Sequence, residues 1–137
     1  MELKDLVGLH KLSGVDRIHK SIEDVWGMDF EDCQVCRFVL DGETYSVIED
    51  PNDGYRSSMR EIKKDSDTVN NIFTPQDVLC IYHESSNAGD CDILELRSTK
   101  TGKLVLRVGT DNTNDYYPWF ANEWIPENMD INLKGVV

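Results

Sequence analysis

The chain has 137 residues, of which 39% are hydrophobic and 29% are charged, a composition typical of a globular protein with one hydrophobic core. Its 26 acidic residues outnumber its 14 basic residues and give a formal charge of −12, which argues against direct binding to nucleic acid or to an anionic membrane surface. No apolar run approaches the roughly 18 residues of a membrane-spanning helix, and the N-terminus lacks the apolar stretch of a secretory signal, so we expect a cytoplasmic protein with a single domain over residues 1–137.

The first half of the chain predicts one short helix and then strands. Apolar residues at positions 3, 6 and 7 have helical spacing, and residues 9–20 are expected to be extended. The strongest local signal is Asp41-Gly42, which lies between two runs rich in β-branched and aromatic residues and predicts a two-residue type I′ hairpin. Before this turn, Phe38 and Leu40 share one face of a strand, and Val35 and Val39 share the other.

Residues 57–73 fit two structures. We favour a strand near residues 57–63 followed by a loop, because residues 65–71 include poor helix formers and break the apolar period. A short helix is the alternative.

The second half predicts strands at residues 78–83 and 119–125, and a hairpin between them. In this hairpin Leu94 and Leu96 alternate with Glu95 and Arg97, so one face is buried and the other contacts water. The whole pattern predicts a mainly β fold: a small antiparallel barrel or sandwich of six to seven strands, with at most one or two short helices.

The cysteines do not predict a metal site. Cys33 and Cys36 have the spacing of half a zinc site, but Cys80 and Cys91 are too far apart in sequence to supply the other half. On a strand, residues three apart also point to opposite faces. We therefore expect free thiols, no bound metal and no cofactor. The sequence also lacks a phosphate-binding loop and a nucleophile elbow, so we assign no catalytic residue and expect a non-enzymatic protein.

Two polar connections are the candidate binding segments. Residues 49–56 have a Pro-Asn-Asp-Gly turn followed by Tyr55, Arg56 and, one turn later, Arg60, and an aromatic ring beside guanidinium groups suits a phosphate or a carboxylate. Residues 109–118 contain no aliphatic side chain, and long polar loops on β scaffolds often bind ligands or partners. The candidate ligand- or partner-binding residues are Tyr55, Arg56, Arg60, Asp111, Asn112, Asp115 and Tyr116.

Three phrases resemble those of small uncharacterised proteins encoded by bacteriophages and prophages. They are LSGVD at residues 12–16, FVLDGETY and EDPNDGYRS within residues 38–57, and VGTDNTNDYYP at residues 108–118. The resemblance implies a setting, in which a small phage protein acts stoichiometrically on a host factor. It implies no activity, cofactor or site residue.

These observations support three hypotheses. The leading one is a non-enzymatic protein that inhibits or sequesters a host factor, with an acidic surface that binds a basic protein partner. The second is a sponge for a small phosphorylated, nucleotide-like ligand. The third is a metal-dependent hydrolase built on the carboxylates of Glu49, Asp50, Asp53, Asp111 and Asp115. The sequence also leaves a homo-oligomer open, because Trp119 is expected to face away from the side of its strand that carries Phe120 and Trp124.

Overall fold

The computed structural model describes residues 1–23, 29–53, 56–84, 91–111 and 118–129, without the side chains of residues 23, 29–31, 52, 53 and 56. The described residues form eight strands and two short 3₁₀ helices. The strands are β1 (Gly8–Glu23), β2 (Asp29–Leu40), β3 (Glu43–Asp53), β4 (Arg56–Asp65), β5 (Ile72–Glu84), β6 (Asp92–Ser98), β7 (Leu104–Asp111) and β8 (Trp119–Trp124). The 3₁₀ helices are η1 (Leu3–Leu6) and η2 (Pro126–Asn128).

All eight strands belong to one antiparallel sheet in the order β4-β3-β2-β1-β5-β6-β7-β8. The mainly β fold with only short helical turns is confirmed. The predicted six to seven strands are approximately right against the eight observed, and residues 57–65 of the segment that fitted either a strand or a helix belong to β4. The sheet is not closed into a barrel by backbone pairing, since β4 and β8 are its two edges.

β1 divides the sheet into two halves. Its beginning pairs with β5, from Gly8 opposite Cys80 to Gly14 opposite Ile72. The rest of the strand, from Leu12 onward, pairs with β2. Both ladders shift register between Leu12 and Gly14. The two halves are therefore offset along β1.

The β2–β3 hairpin has the predicted turn. Asp41 and Gly42 have φ angles of 53° and 82°, which are the two positive values that a type I′ turn requires. Phe38 lies opposite Tyr45, with ring centroids 6.0 Å apart. This pair belongs to one core cluster that extends from η1 through every strand to Met129.

The connection from β4 to β5 passes over the outer face of the sheet. It must cross β3, β2 and β1, and we call its residues 66–71 the crossover. The Arg37 guanidinium donates to the Thr68 carbonyl oxygen (3.0 Å), and the backbone N–H of Asn70 donates to an Asp16 carboxylate oxygen (2.9 Å). Arg37 and Asp16 also form an ion pair that is almost fully buried. A charged pair therefore joins the crossover to the centre of the sheet.

Two further features follow from this path. Gly14 is required because a Cβ atom there would lie 2.9 Å from the Asn71 carbonyl oxygen, closer than Cβ contacts normally allow. On β2, Phe38 and Leu40 belong to the core cluster, while Val35 and Val39 on the other side of the strand are buried as well. The strand alternates as predicted, but residues 35–40 are buried on both of its faces.

Candidate binding site

The residues that flank the two polar connections are in direct contact. The backbone N–H of Met59 donates to the Thr110 hydroxyl (2.7 Å), and the backbone N–H of Phe120 donates to the Ser57 hydroxyl (3.4 Å). These four residues join the beginning of β4 to the end of β7 and the beginning of β8, and we call them the seam. The seam holds the two edges of the sheet together through side chains, where no backbone ladder forms.

The seam sets the position of the predicted site residues. Arg56 precedes Ser57 in β4 and Asp111 follows Thr110 in β7, so the backbone of each connection begins or ends beside the other. The side chain of Arg56 is not described, and four predicted residues lie outside the described residues altogether. These four are Tyr55, Asn112, Asp115 and Tyr116.

Arg60 is a bulge residue in β4. Ile48 pairs with Glu61 and Glu49 pairs with Met59, so Arg60 is the extra residue in the register, and it is half-buried. Its charge acts on the nearby Cys33 thiol. Burial raises the pKa of Cys33, Glu49 and Asp50 raise it further, and Arg60 opposes them. Arg60 therefore lies among carboxylates, which weaken its attraction for an anionic ligand.

The side chain of Asp111 is already engaged within the protein. It is only 4% exposed and forms an ion pair with Arg107. The same guanidinium pairs with Glu123 at 3.3 Å and lies 5.9 Å from the centre of the Trp119 ring. As predicted, Trp119 is exposed while Phe120 is buried. Asp111 therefore orders the base of the second connection through Arg107.

The carboxylates proposed for a hydrolase do not form a metal centre among the described residues. Within that part of the chain, no group of three or more His, Cys, Asp or Glu side chains is close enough to hold an ion. Glu49 is buried and accepts a hydrogen bond from the backbone N–H of Gln34 (3.0 Å). The side chains of Asp53 and Asp115 lie outside the described residues.

The basic cluster of β4 has a structural explanation. Arg56, Arg60, Lys63 and Lys64 all lie on an edge strand, where charged side chains and bulges commonly prevent pairing with another chain. The cluster therefore does not require a phosphorylated ligand.

The sequence did not predict an exposed apolar patch on the half of the sheet that contains β1 and β5. Leu9 and Leu79 are paired neighbours on β1 and β5, and they are 73% and 40% exposed. Val7, just before β1, is 53% exposed. We call these three residues the leucine patch. The signal was present in the continuous apolar run at residues 78–81, which is apolar at positions that face both sides of a strand.

The surroundings of the leucine patch are polar and concave. Lys11 and Asp77 form an ion pair of 2.8 Å on one side, and Arg97 and Glu95 form another of 3.0 Å on the other side. A cavity of about 490 Å³ adjoins Leu9. Its lining residues are Leu9, His10, Lys11, Asp41, Asp77 and Thr99.

None of the described helices is long and apolar enough to cross a membrane. Comparison with known proteins gives no relative from which a function could be transferred: no family model matches the chain, and neither a curated protein nor a solved structure matches it significantly.

Proposed function

We propose that this protein is a non-enzymatic, cytoplasmic binding domain that sequesters or inhibits a host factor by stoichiometric association, with a basic protein surface as its target. The observation that carries the proposal is the seam. Since Ser57 contacts Phe120 and Met59 contacts Thr110, two polar connections from opposite edges of the sheet begin at one place. A recognition surface built from two loops on a rigid sheet is a common way for β domains to bind partners.

The charge of the chain favours a basic partner. A protein with a formal charge of −12 attracts a cationic surface over roughly one Debye length, about 8 Å at physiological salt, and this attraction increases the association rate. Glu49 and Asp50 on β3 add to it beside the seam, because they pair with Met59 and Ser58 of β4. The resemblance to phage-encoded proteins makes a host component the first candidate.

The experiment measures association with a lysine- and arginine-rich probe protein. The chain is immobilised, and the association rate is measured between about 50 mM and about 300 mM salt, over which we expect a fall of about tenfold or more. Asp50→Lys should slow association further. Glu127→Lys is the matched control for charge, because Glu127 is exposed in η2 beside Leu104, about 20 Å from the seam at 3.3 Å per residue.

Further variants distinguish this proposal from the other hypotheses. Arg56→Ala should leave binding to the basic probe intact. Stabilisation by nucleotides that is lost in Arg56→Ala would instead identify the phosphorylated-ligand sponge. Equal loss of binding in Asp50→Lys and in Glu127→Lys would show that net charge alone attracts the probe, and it would refute a localised recognition surface.

A further inference from the structure

We propose that the leucine patch is the contact surface for a second copy of this chain. The two halves of the sheet differ in how their outer faces are covered. The crossover buries Asp16, Arg37 and Val39 on one half, whereas nothing in the described chain covers Leu9 and Leu79 on the other. A contiguous apolar patch on an otherwise charged protein usually marks an interaction surface.

The charge of the residues around the leucine patch favours a second copy of this chain as its binding partner. Its neighbours are two ion pairs, Lys11–Asp77 and Arg97–Glu95, and the Asp41 carboxylate of the recess, so these residues are close to neutral although the chain as a whole carries −12. A basic partner is attracted by a large excess of carboxylates, and among these residues the excess is one, Asp41. Two copies of this acidic chain repel each other over most of their surfaces, but they can meet where the local charge is balanced.

The shape of the region fits a two-fold contact. A symmetric dimer uses the same surface on both subunits, so a projection must lie near a recess that can receive it. Leu9 is the most exposed large apolar side chain of the described chain, and the cavity of about 490 Å³ lies directly beside it. In the dimer, Leu9 of each copy packs against the patch and the adjacent recess of the other.

The first test is the mass of the chain in solution. Sedimentation equilibrium between about 1 μM and about 1 mM should show a mass that rises from 15.7 kDa toward twice that value. Leu9→Arg should raise the dissociation constant by about a hundredfold, because the substitution removes a buried leucine from both copies and adds two like charges. Added salt should strengthen the wild-type dimer, since it screens the repulsion between two acidic chains.

Ile72→Arg is the matched control. Ile72 is 64% exposed and lies on the same strand as Leu79, about 23 Å away at 3.3 Å per residue. The control variant should dimerise like the wild type, and both variants should keep the wild-type circular dichroism spectrum.

A cross-linking experiment gives a second readout for a weak dimer. The four described cysteines are buried, so Leu9→Cys adds a single accessible thiol near the two-fold axis. Mild oxidation should give a covalent dimer for Leu9→Cys and much less for Ile72→Cys. A chain that remains monomeric up to about 1 mM and cross-links equally at both positions would overturn the proposal. Dimerisation that Leu9→Arg leaves unchanged would overturn it as well.

Discussion

Replacing Arg37 should detach the crossover from the sheet. Its Nε donates to an Asp16 oxygen at 2.9 Å, and its Nη2 donates both to Asp16 (2.5 Å) and to the Thr68 carbonyl (3.0 Å). The hydrogen bond with Asp16 raises the pKa of Arg37 above its usual value. In Arg37→Met, the Asp16 carboxylate stays buried and keeps only the hydrogen bond from the Asn70 backbone N–H.

The expected loss follows from the burial of the pair. The Arg37 and Asp16 side chains are 4% and 3% exposed, and removing one partner of a buried ion pair typically costs about 3–5 kcal/mol of unfolding free energy. With a urea slope of about 2 kcal/mol per M, the unfolding midpoint should fall by about 1.5–2.5 M. This is a large share of the roughly 5–15 kcal/mol that stabilises a typical domain.

The assay combines urea unfolding with amide hydrogen exchange. In Arg37→Met the amides of Asn70 and Val15 should exchange faster, because the Val15 N–H donates to the Asn71 carbonyl in the crossover (3.1 Å). Arg17→Met is the control: it makes the same substitution at the exposed residue next to Asp16, where we expect a change within about 0.5 kcal/mol. The double variant Asp16→Leu/Arg37→Met should recover much of the stability, since it removes both charges. Equal effects of Arg37→Met and Arg17→Met would refute the structural role of the pair.

Three further predictions concern single positions. Gly14→Ala should cost about 1–3 kcal/mol in urea unfolding, because its Cβ meets the Asn71 carbonyl, and a loss no larger than that of Ser13→Ala would contradict this. The hydrogen bond with His10 lowers the pKa of Asp41 below 3.8, so the stabilisation by this carboxylate is complete above that pH and is lost as the pH falls through the lower folded-state value. Asn also tolerates the positive φ of the turn, and Asp41→Asn should therefore be less stable than the wild type at about pH 7, with a difference that shrinks as the pH falls below 3.8. Burial raises the pKa of Cys36 and Cys80 to about 12, so both thiols should resist alkylation at about pH 8 until the chain unfolds, and rapid labelling of the native protein would contradict their burial.

Local patterns predicted the hairpins of this fold. The Asp41-Gly42 turn and the alternation of Leu94 and Leu96 with Glu95 and Arg97 depend on neighbours along the chain, and the structure has both. The role of β1 as a partner of both β2 and β5 could not be predicted in this way. It depends on a register shift near Gly14. The crossover, residues 66–71, packs against Gly14 from some fifty positions later in the chain.

In the candidate site too, local patterns predicted some features, and contacts between distant parts of the chain determined the others. The sequence identified the two polar connections, but their meeting depends on contacts between residues more than fifty positions apart, such as Ser57 with Phe120. Sequence reasoning treated Arg60 as a ligand-binding group, and its position in a bulge of an edge strand was not visible from composition. The buried ion pair of Arg37 could have been predicted, because an arginine inside an apolar strand needs a buried partner.

The path of the crossover also decides which surface of the sheet is free. The outer face of β1 and β2 carries Asp16 and Arg37, and that of β1 and β5 carries Leu9 and Leu79. Among the described residues, the crossover covers the face with the buried charges, and no segment covers the apolar face. This difference is the basis for proposing a second chain at the leucines. Salt then separates the two proposed interactions: screening weakens the attraction of a basic partner to the seam region, and it strengthens the contact between two acidic copies at the leucine patch.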